Sequence, residues 1–166
     1  MKTIKYKIVI DSREKENKHI IEAFNKNGIS TITRGVPTGD YIIESSGNYV
    51  PNIAIERKGS LDELIGNLLD SATKNEHGKN RFMRELDRSK QCNKRLVILI
   101  EDREWYSKLL KGQYISRVNS KAISGMIISI LAKYPNVSIM AEDKKFAGSM
   151  IHKILYYALR EDLKEK

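Results

Sequence analysis

The run RLVILIE, Arg95 to Glu101, constrains this chain more than any other stretch, because its five successive aliphatic residues leave no polar face to give to water. A half-exposed strand alternates apolar and polar residues. A run that is apolar throughout belongs in the middle of a sheet covered on both sides. The chain must therefore build helical layers on both faces of a sheet. Its 166 residues suffice for one such core and are too few for two domains with a linker. The expectation is a single domain over residues 1–166.

The rest of the sequence supplies the other elements. IKYKIVI reads as a first strand, ending in the charged DSRE. KENKHIIEAFNKNG places Ile20, Ile21 and Phe24 at helical spacing and stops at Gly28. ISTITR is a short strand, and VPTGD is a turn punctuated by Pro37 and Gly39. YIIESSGNYVPNIAIERK reads as two strands joined by a polar turn. Ser60 caps a helix, LDELIGNLLDSA, whose leucines and Ile65 form an apolar stripe. TKNEHGKN reads as a flexible loop, and RFMRELDRSK resumes helix. After RLVILIE come a short helix (EWYSKLL), a longer one (SKAISGMIISILAKY), a strand (NVSIMA) and a final helix (DKKFAGSMIHKILYYALRED). Helices before and after the strands argue for an α/β sandwich on a mixed sheet.

Thirty Lys and Arg oppose 21 Asp and Glu, a net charge of +9. The summed field attracts polyanions, with nucleic acid the first candidate, although a basic surface also serves solubility. Cys92 is the only cysteine, which excludes an intramolecular disulfide and a cysteine-rich zinc site. No stretch nears the roughly 20 apolar residues of a membrane span. The basic opening leads into a strand rather than a secretion signal, so the expected setting is cytoplasmic.

The chemistry-bearing stretch is DYIIESSGNYVPNIAIERKGSLDEL. On a strand, residues two apart share a face, so Glu56 and Lys58 stand together and Arg57 points away. Phosphodiester hydrolysis needs hard oxygen ligands for Mg2+ or Mn2+, an activated water, and positive charge near phosphorus. Glu56 and Asp40 can supply ligands, and Lys58 can orient the attacking water or stabilise the pentacovalent state. Asp11 and Glu14 close the first strand, and Asp62 falls in the first turn of the next helix. Each has a plainer reading: Asp40 as a turn residue, Glu56 with Lys58 as a surface ion pair, Asp62 as a helix-dipole partner. The ordered set, behind an apolar IAI that implies burial, is what favours chemistry.

That order resembles the restriction-endonuclease-like superfamily, and in detail its XPF branch, whose signature is G-D, a variable gap, E-R-K, three residues and D. Here it reads Gly39-Asp40, fifteen residues, Glu56-Arg57-Lys58, Gly59-Ser60-Leu61 and Asp62. IVIDSRE, DELIGNL and RLVILIE resemble further family elements, covering roughly residues 4 to 105. The resemblance implies a restriction-endonuclease-like α/β/α sandwich with a central mixed β-sheet. It implies metal binding by Asp40 and Glu56 with Asp11 and Glu14, water activation by Lys58, and a structural or phosphate role for Arg57. Asp62 would support the site's geometry. Family members cut DNA near branches or flaps in repair or recombination, and dimerise through the C-terminal helices, as a homodimer or heterodimer.

Two departures stand out. The loop after LLDSA is longer than the family leads one to expect, and no paired helix-hairpin-helix module follows. If no accessory module holds DNA, the nuclease domain must supply phosphate contacts itself. Ala72 to Arg95 carries eight Lys or Arg against three acids, so Lys74, Lys79, Arg81, Arg84 and Arg88 are candidate phosphate contacts, with a solvated helix face as the alternative. Trp105, Tyr106 and Tyr114 suit packing better than base stacking. His77 reads as a loop residue, and His19 and His152 imply only packing or exposure. Three functions follow: a Mg/Mn-dependent endodeoxyribonuclease, a non-catalytic DNA-binding partner subunit, or a cousin acting on DNA ends or RNA. The Lys-, Asn- and Ile-rich composition suits a phage or compact microbial genome, and in a prokaryote the expected place is the nucleoid.

Overall fold

A computed structural model describes residues 4–165; residues 1–3 of the basic opening lie outside it. The elements run β1 (Tyr6–Asp11), α1 (Lys18–Lys26), β2 (Thr31–Arg34), β3 (Tyr41–Ser45), β4 (Ile53–Lys58), α2 (Leu61–Leu69), α3 (Arg81–Gln91), β5 (Arg95–Ile100), α4 (Trp105–Leu110), α5 (Ser120–Lys133), β6 (Val137–Ala141) and α6 (Lys144–Lys164). Every expected strand and helix is present in the expected order.

The six strands form one sheet in the order β2-β1-β3-β4-β5-β6. The first pair is parallel, β3 runs antiparallel to both β1 and β4, and β4, β5 and β6 are parallel. RLVILI is not the middle strand but an interior one, one in from the β6 edge, and it is covered on both faces, as its lack of a polar face requires. Leu96, Ile98 and Ile100 pack with Leu64, Ile65, Leu86, Ile123 and Ile127 of α2, α3 and α5. Val97 and Leu99 pack on the other face with Ile20, Phe24, Ile151 and Leu155 of α1 and α6. The α6 helix lies close enough on α1 that a Cβ at Gly148 would sit 2.7 Å from the Ala23 Cβ.

The same alternation sorts the charged strand ends. Val9 on β1, Ile42 on β3 and Ala54 on β4 face the α2–α3 side. Counting in twos, Asp11, Asp40, Glu56 and Lys58 follow them to that side, while Arg57 goes to the α1–α6 side. The cap expected at Ser60 is formed, its Oγ accepting from the Glu63 N–H at 3.1 Å. The loop between α2 and α3 is tied rather than loose. Asp70 accepts from the Ala72 and Thr73 N–H groups, Asn75 from those of His77 and Lys79, and Asn80 caps α3 through the Met83 N–H.

Candidate active site

The start of β3 and the end of β4 meet α2 and α3 around a polar cavity of about 270 Å3 lined by Asp40, Glu56, Lys58, Glu14, Arg13, Glu85 and Arg81, among others. The turn that delivers Asp40 needs its glycine. Gly39 has φ +78°, and a Cβ there would stand 2.8 Å from the Ala54 Cβ and 2.9 Å from the Ile55 carbonyl oxygen. The backbone of Asp40 is fixed on both sides, donating to Ile55 O at 2.7 Å and accepting from the Asp11 N–H at 2.8 Å.

Asp40 Oδ2 accepts from the Arg57 N–H at 2.8 Å. Glu56 Oε1 accepts from Lys58 Nζ at 2.6 Å. Their second oxygens, Asp40 Oδ1 and Glu56 Oε2, have no hydrogen-bond partner among the described residues. Glu56 and Lys58 are buried, which dismisses the surface ion pair. The Lys58 ammonium also lies 5.1 Å from the Phe82 ring centroid, so two contacts hold it in place.

The electrostatics record strain. Burial, then the nearby charges of Glu56 and Glu14, push the Asp40 carboxyl well above its ordinary pKa. Burial also raises Glu56, with Glu85 and Glu14 adding to it and Lys58 opposing. For Lys58, burial works against the charged form, but Glu56 outweighs it and the pKa rises. This is a site short of positive charge.

On the far side of β4, Arg57 is buried in a network that satisfies it. Its Nε and Nη2 donate to the two Glu14 oxygens at 3.0 and 3.1 Å, and Nη1 donates to Glu101 Oε2 at 3.2 Å. Glu101 Oε1 accepts from His19 Nε2 at 2.6 Å. Arg57 therefore structures the motif, and Glu14 is its partner before it is anything else. His19, expected only to pack or be exposed, closes this hydrogen-bonded chain from α1.

Asp11 departs from the expectation of a metal ligand. Its carboxylate, 1% exposed, accepts from Arg13 Nε and N–H through Oδ1, and from Arg13 Nη2 and the Val36 N–H through Oδ2. Burial pushes its pKa up, yet the bonds from Arg13 and Val36 win and draw it down to about 2. Both oxygens are spent, and what Asp11 presents to the cavity is Arg13. Asp62 also faces away from the cavity. Its Oδ1 accepts from the Ile115 N–H at 2.8 Å, tying α2 to the segment after α4.

Of the candidate phosphate contacts, Arg81 lines the cavity mouth. Lys74 and Arg88 are exposed, Lys79 pairs with Asp87 at 2.6 Å, and Arg84 clips the loop through the Thr73 and Lys79 carbonyls. Trp105 packs against the core and Tyr114 bonds to Val118 O, while Tyr106 is exposed. The residue that sequence reasoning missed is Glu85. It is 8% exposed on α3 and accepts from the Gly39 N–H at 2.8 Å. The available signal was its place in the buried stripe Phe82, Glu85, Leu86, Ser89, where a charge needs a reason.

Asp40 and Glu56 fit a hard divalent cation: two oxygens are free, both groups are crowded by like charge, and all donors are oxygen. Among the described residues, no three of His, Cys, Asp and Glu form a ready-made cage.

The mixed sheet, two helical layers and G-D…E-R-K cavity define an α/β nuclease-type domain for DNA. The ERCC4 domain model matches residues 10–154, and the chain belongs to that family, the XPF-type nuclease domains. The structure is similar to XPF from Aeropyrum pernix, with a TM-score of 0.62 and 16% identity over 92% of this chain and 61% of that one. At that identity the shared property is the fold, and this chain spans about 61% of that chain's length. No curated protein matches by sequence. No helix among the described residues is long and apolar enough to cross a membrane.

Proposed function

We propose that this chain is a Mg2+- or Mn2+-dependent DNA endonuclease that hydrolyses phosphodiester bonds, with branched or flap-type DNA as substrate. The observation that carries the reading is the shared cavity of Asp40, Glu56 and Lys58, with one oxygen of each acid free and the ammonium beside them. Asp40 and Glu56 would hold the ion, which supplies Lewis-acid polarisation of the phosphate and lowers the pKa of a bound water. Lys58, fixed by Glu56 and Phe82, stabilises negative charge as it develops on the phosphate oxygens. Arg81 at the mouth, with exposed Lys74 and Arg88, contacts phosphates without reading sequence.

Exposed Met126, Ile128, Met140, Phe146 and Tyr157 on α5, β6 and α6 support pairing through the C-terminal helices, which would supply a second DNA grip. One observation favours the other reading, a non-catalytic DNA-binding subunit: Glu14, expected as a ligand, is engaged by Arg57.

A cleavage assay with Mn2+ on flap, fork, four-way junction, duplex and RNA substrates separates these. The nuclease reading expects cleavage of branched DNA, lowered about 10²–10³-fold in Lys58→Ala with binding retained. If wild type and Lys58→Ala bind every substrate and cut none, the subunit reading stands instead.

A further inference from the structure

The buried charges around the cavity do not balance evenly. Glu14 is matched by Arg57 and Glu56 by Lys58, with each pair in direct contact. Arg13 is already held by two bonds to Asp11 and reaches the remaining acids only at longer range. Two carboxylates, the buried Glu85 and the partly buried Asp40, then have no cation of their own. Asp40 accepts a single backbone N–H from Arg57, and Glu85 accepts a single backbone N–H from Gly39. A neutral N–H is weak compensation for a desolvated carboxylate. Glu85 is also among the charges that push the Glu56 pKa up.

The position of Glu85 is therefore informative. It comes from α3, opposite the sheet, and is 92% buried by its 8% exposure. Its Oε1 fastens the amide that precedes Asp40, and its Oε2 has no partner among the described residues while the side chain lines the cavity. Had this helix only to cover the sheet and hold the turn, a glutamine would accept the same N–H without the burial cost of a charge.

We propose that Glu85 is a third carboxylate of the cation site, acting from its outer edge: Oε1 fixes the Gly39–Asp40 turn while Oε2 accepts from the water shell of a divalent ion held by Asp40 and Glu56. This rests on the metal-dependent reading above. In this arrangement Glu85 stands one water away from the ion, its Oε1 being already committed to the Gly39 N–H. It is a positioning residue that sets ion affinity, and outer-shell partners of this kind are worth about 10–100-fold in metal affinity.

The test is calorimetric titration of Mn2+ into the full chain, comparing wild type, Glu85→Gln and Asp40→Asn, with thermal melts with and without the ion. Gln keeps the acceptor for the Gly39 N–H and removes only the charge. Glu85→Gln is expected to weaken Mn2+ binding at least about tenfold, to melt above wild type without the ion, and to lose that advantage at saturating Mn2+. Mn2+ affinity equal to wild type, failure to fold, or a lower melt both with and without the ion would make Glu85 a packing residue and overturn the proposal. The Asp40→Asn arm separates the two levels of argument. If wild type binds Mn2+, Asp40→Asn does not, and Glu85→Gln matches wild type, only the role of Glu85 falls. If wild type itself binds no Mn2+, the metal-dependent reading falls with it.

Discussion

Strand β4 carries buried charge on both faces, and the two sides are finished differently. Toward α1 and α6, Arg57 sits between Glu14 and Glu101, and His19 completes the set, so every acid there meets a cationic or donating group. Toward α2 and α3, Asp40 and Glu85 each receive one backbone amide and no cation of their own, and burial with nearby acids holds the Asp40 and Glu56 carboxyls above their ordinary pKa. The first arrangement holds the strand in place, since a buried pair breaks at high cost when one partner is removed. The second stores a need for positive charge that the protein does not itself meet. Under the proposed function, the unfinished side is the one that accepts the ion.

The contrast breaks most visibly at Asp40. Asp40→Asn is expected to abolish Mn2+-dependent cleavage of flap DNA while the ion-free protein melts higher than wild type. The sign follows from proton binding: a carboxyl whose folded pKa is raised contributes stability below its unfolded value, and that contribution is lost as pH rises through the folded one. Wild type without metal should therefore lose stability relative to Asp40→Asn as pH climbs through that range. Asp11, one strand away, behaves in the opposite sense. Its pKa is drawn down to about 2, so its contribution is present above the ordinary carboxylate value and fades as acid is added toward that point. Melts across pH that show wild type and Asp40→Asn moving in parallel would remove the asymmetry.

On the finished side, Arg57→Ala leaves Glu14 and Glu101 buried without their partner and should cost about 3–5 kcal/mol of stability, read by urea unfolding. A loss near zero would mean that the network is decoration. The smallest effect is expected at the mouth. Arg81→Ala should weaken DNA binding alike for all sequences and reduce the slope of log affinity against log salt by about one, leaving the melt unchanged.

What the sequence made legible follows from its periodicities. RLVILI announced a strand covered on both faces, though the sheet sets it beside the β6 edge rather than in the middle, and the period of two put Glu56 and Lys58 on one face and Arg57 on the other, where the structure has them. Gly39-Asp40 announced a turn, and the positive φ and close contacts at Gly39 give the reason. What stayed hidden are contacts made between elements far apart in the chain. Nothing near His19 signals Glu101, which is 82 residues away. Asp11 looks like a ligand until Arg13 and Val36 are seen to occupy both its oxygens. Glu85 sits four residues into a charged helix start, RFMRE, and only its alignment with Phe82, Leu86 and Ser89 marks it as inward-facing.

The tightness around Gly39 has an evolutionary corollary. One additional methyl at that position would press on the neighbouring strand and oppose the backbone's handedness, displacing the acid beside it while leaving the sheet and both helical layers their own contacts. A lineage could thus silence the cavity through a single codon that encodes no chemistry, and a relative holding all its acids but lacking this glycine should not be counted as intact.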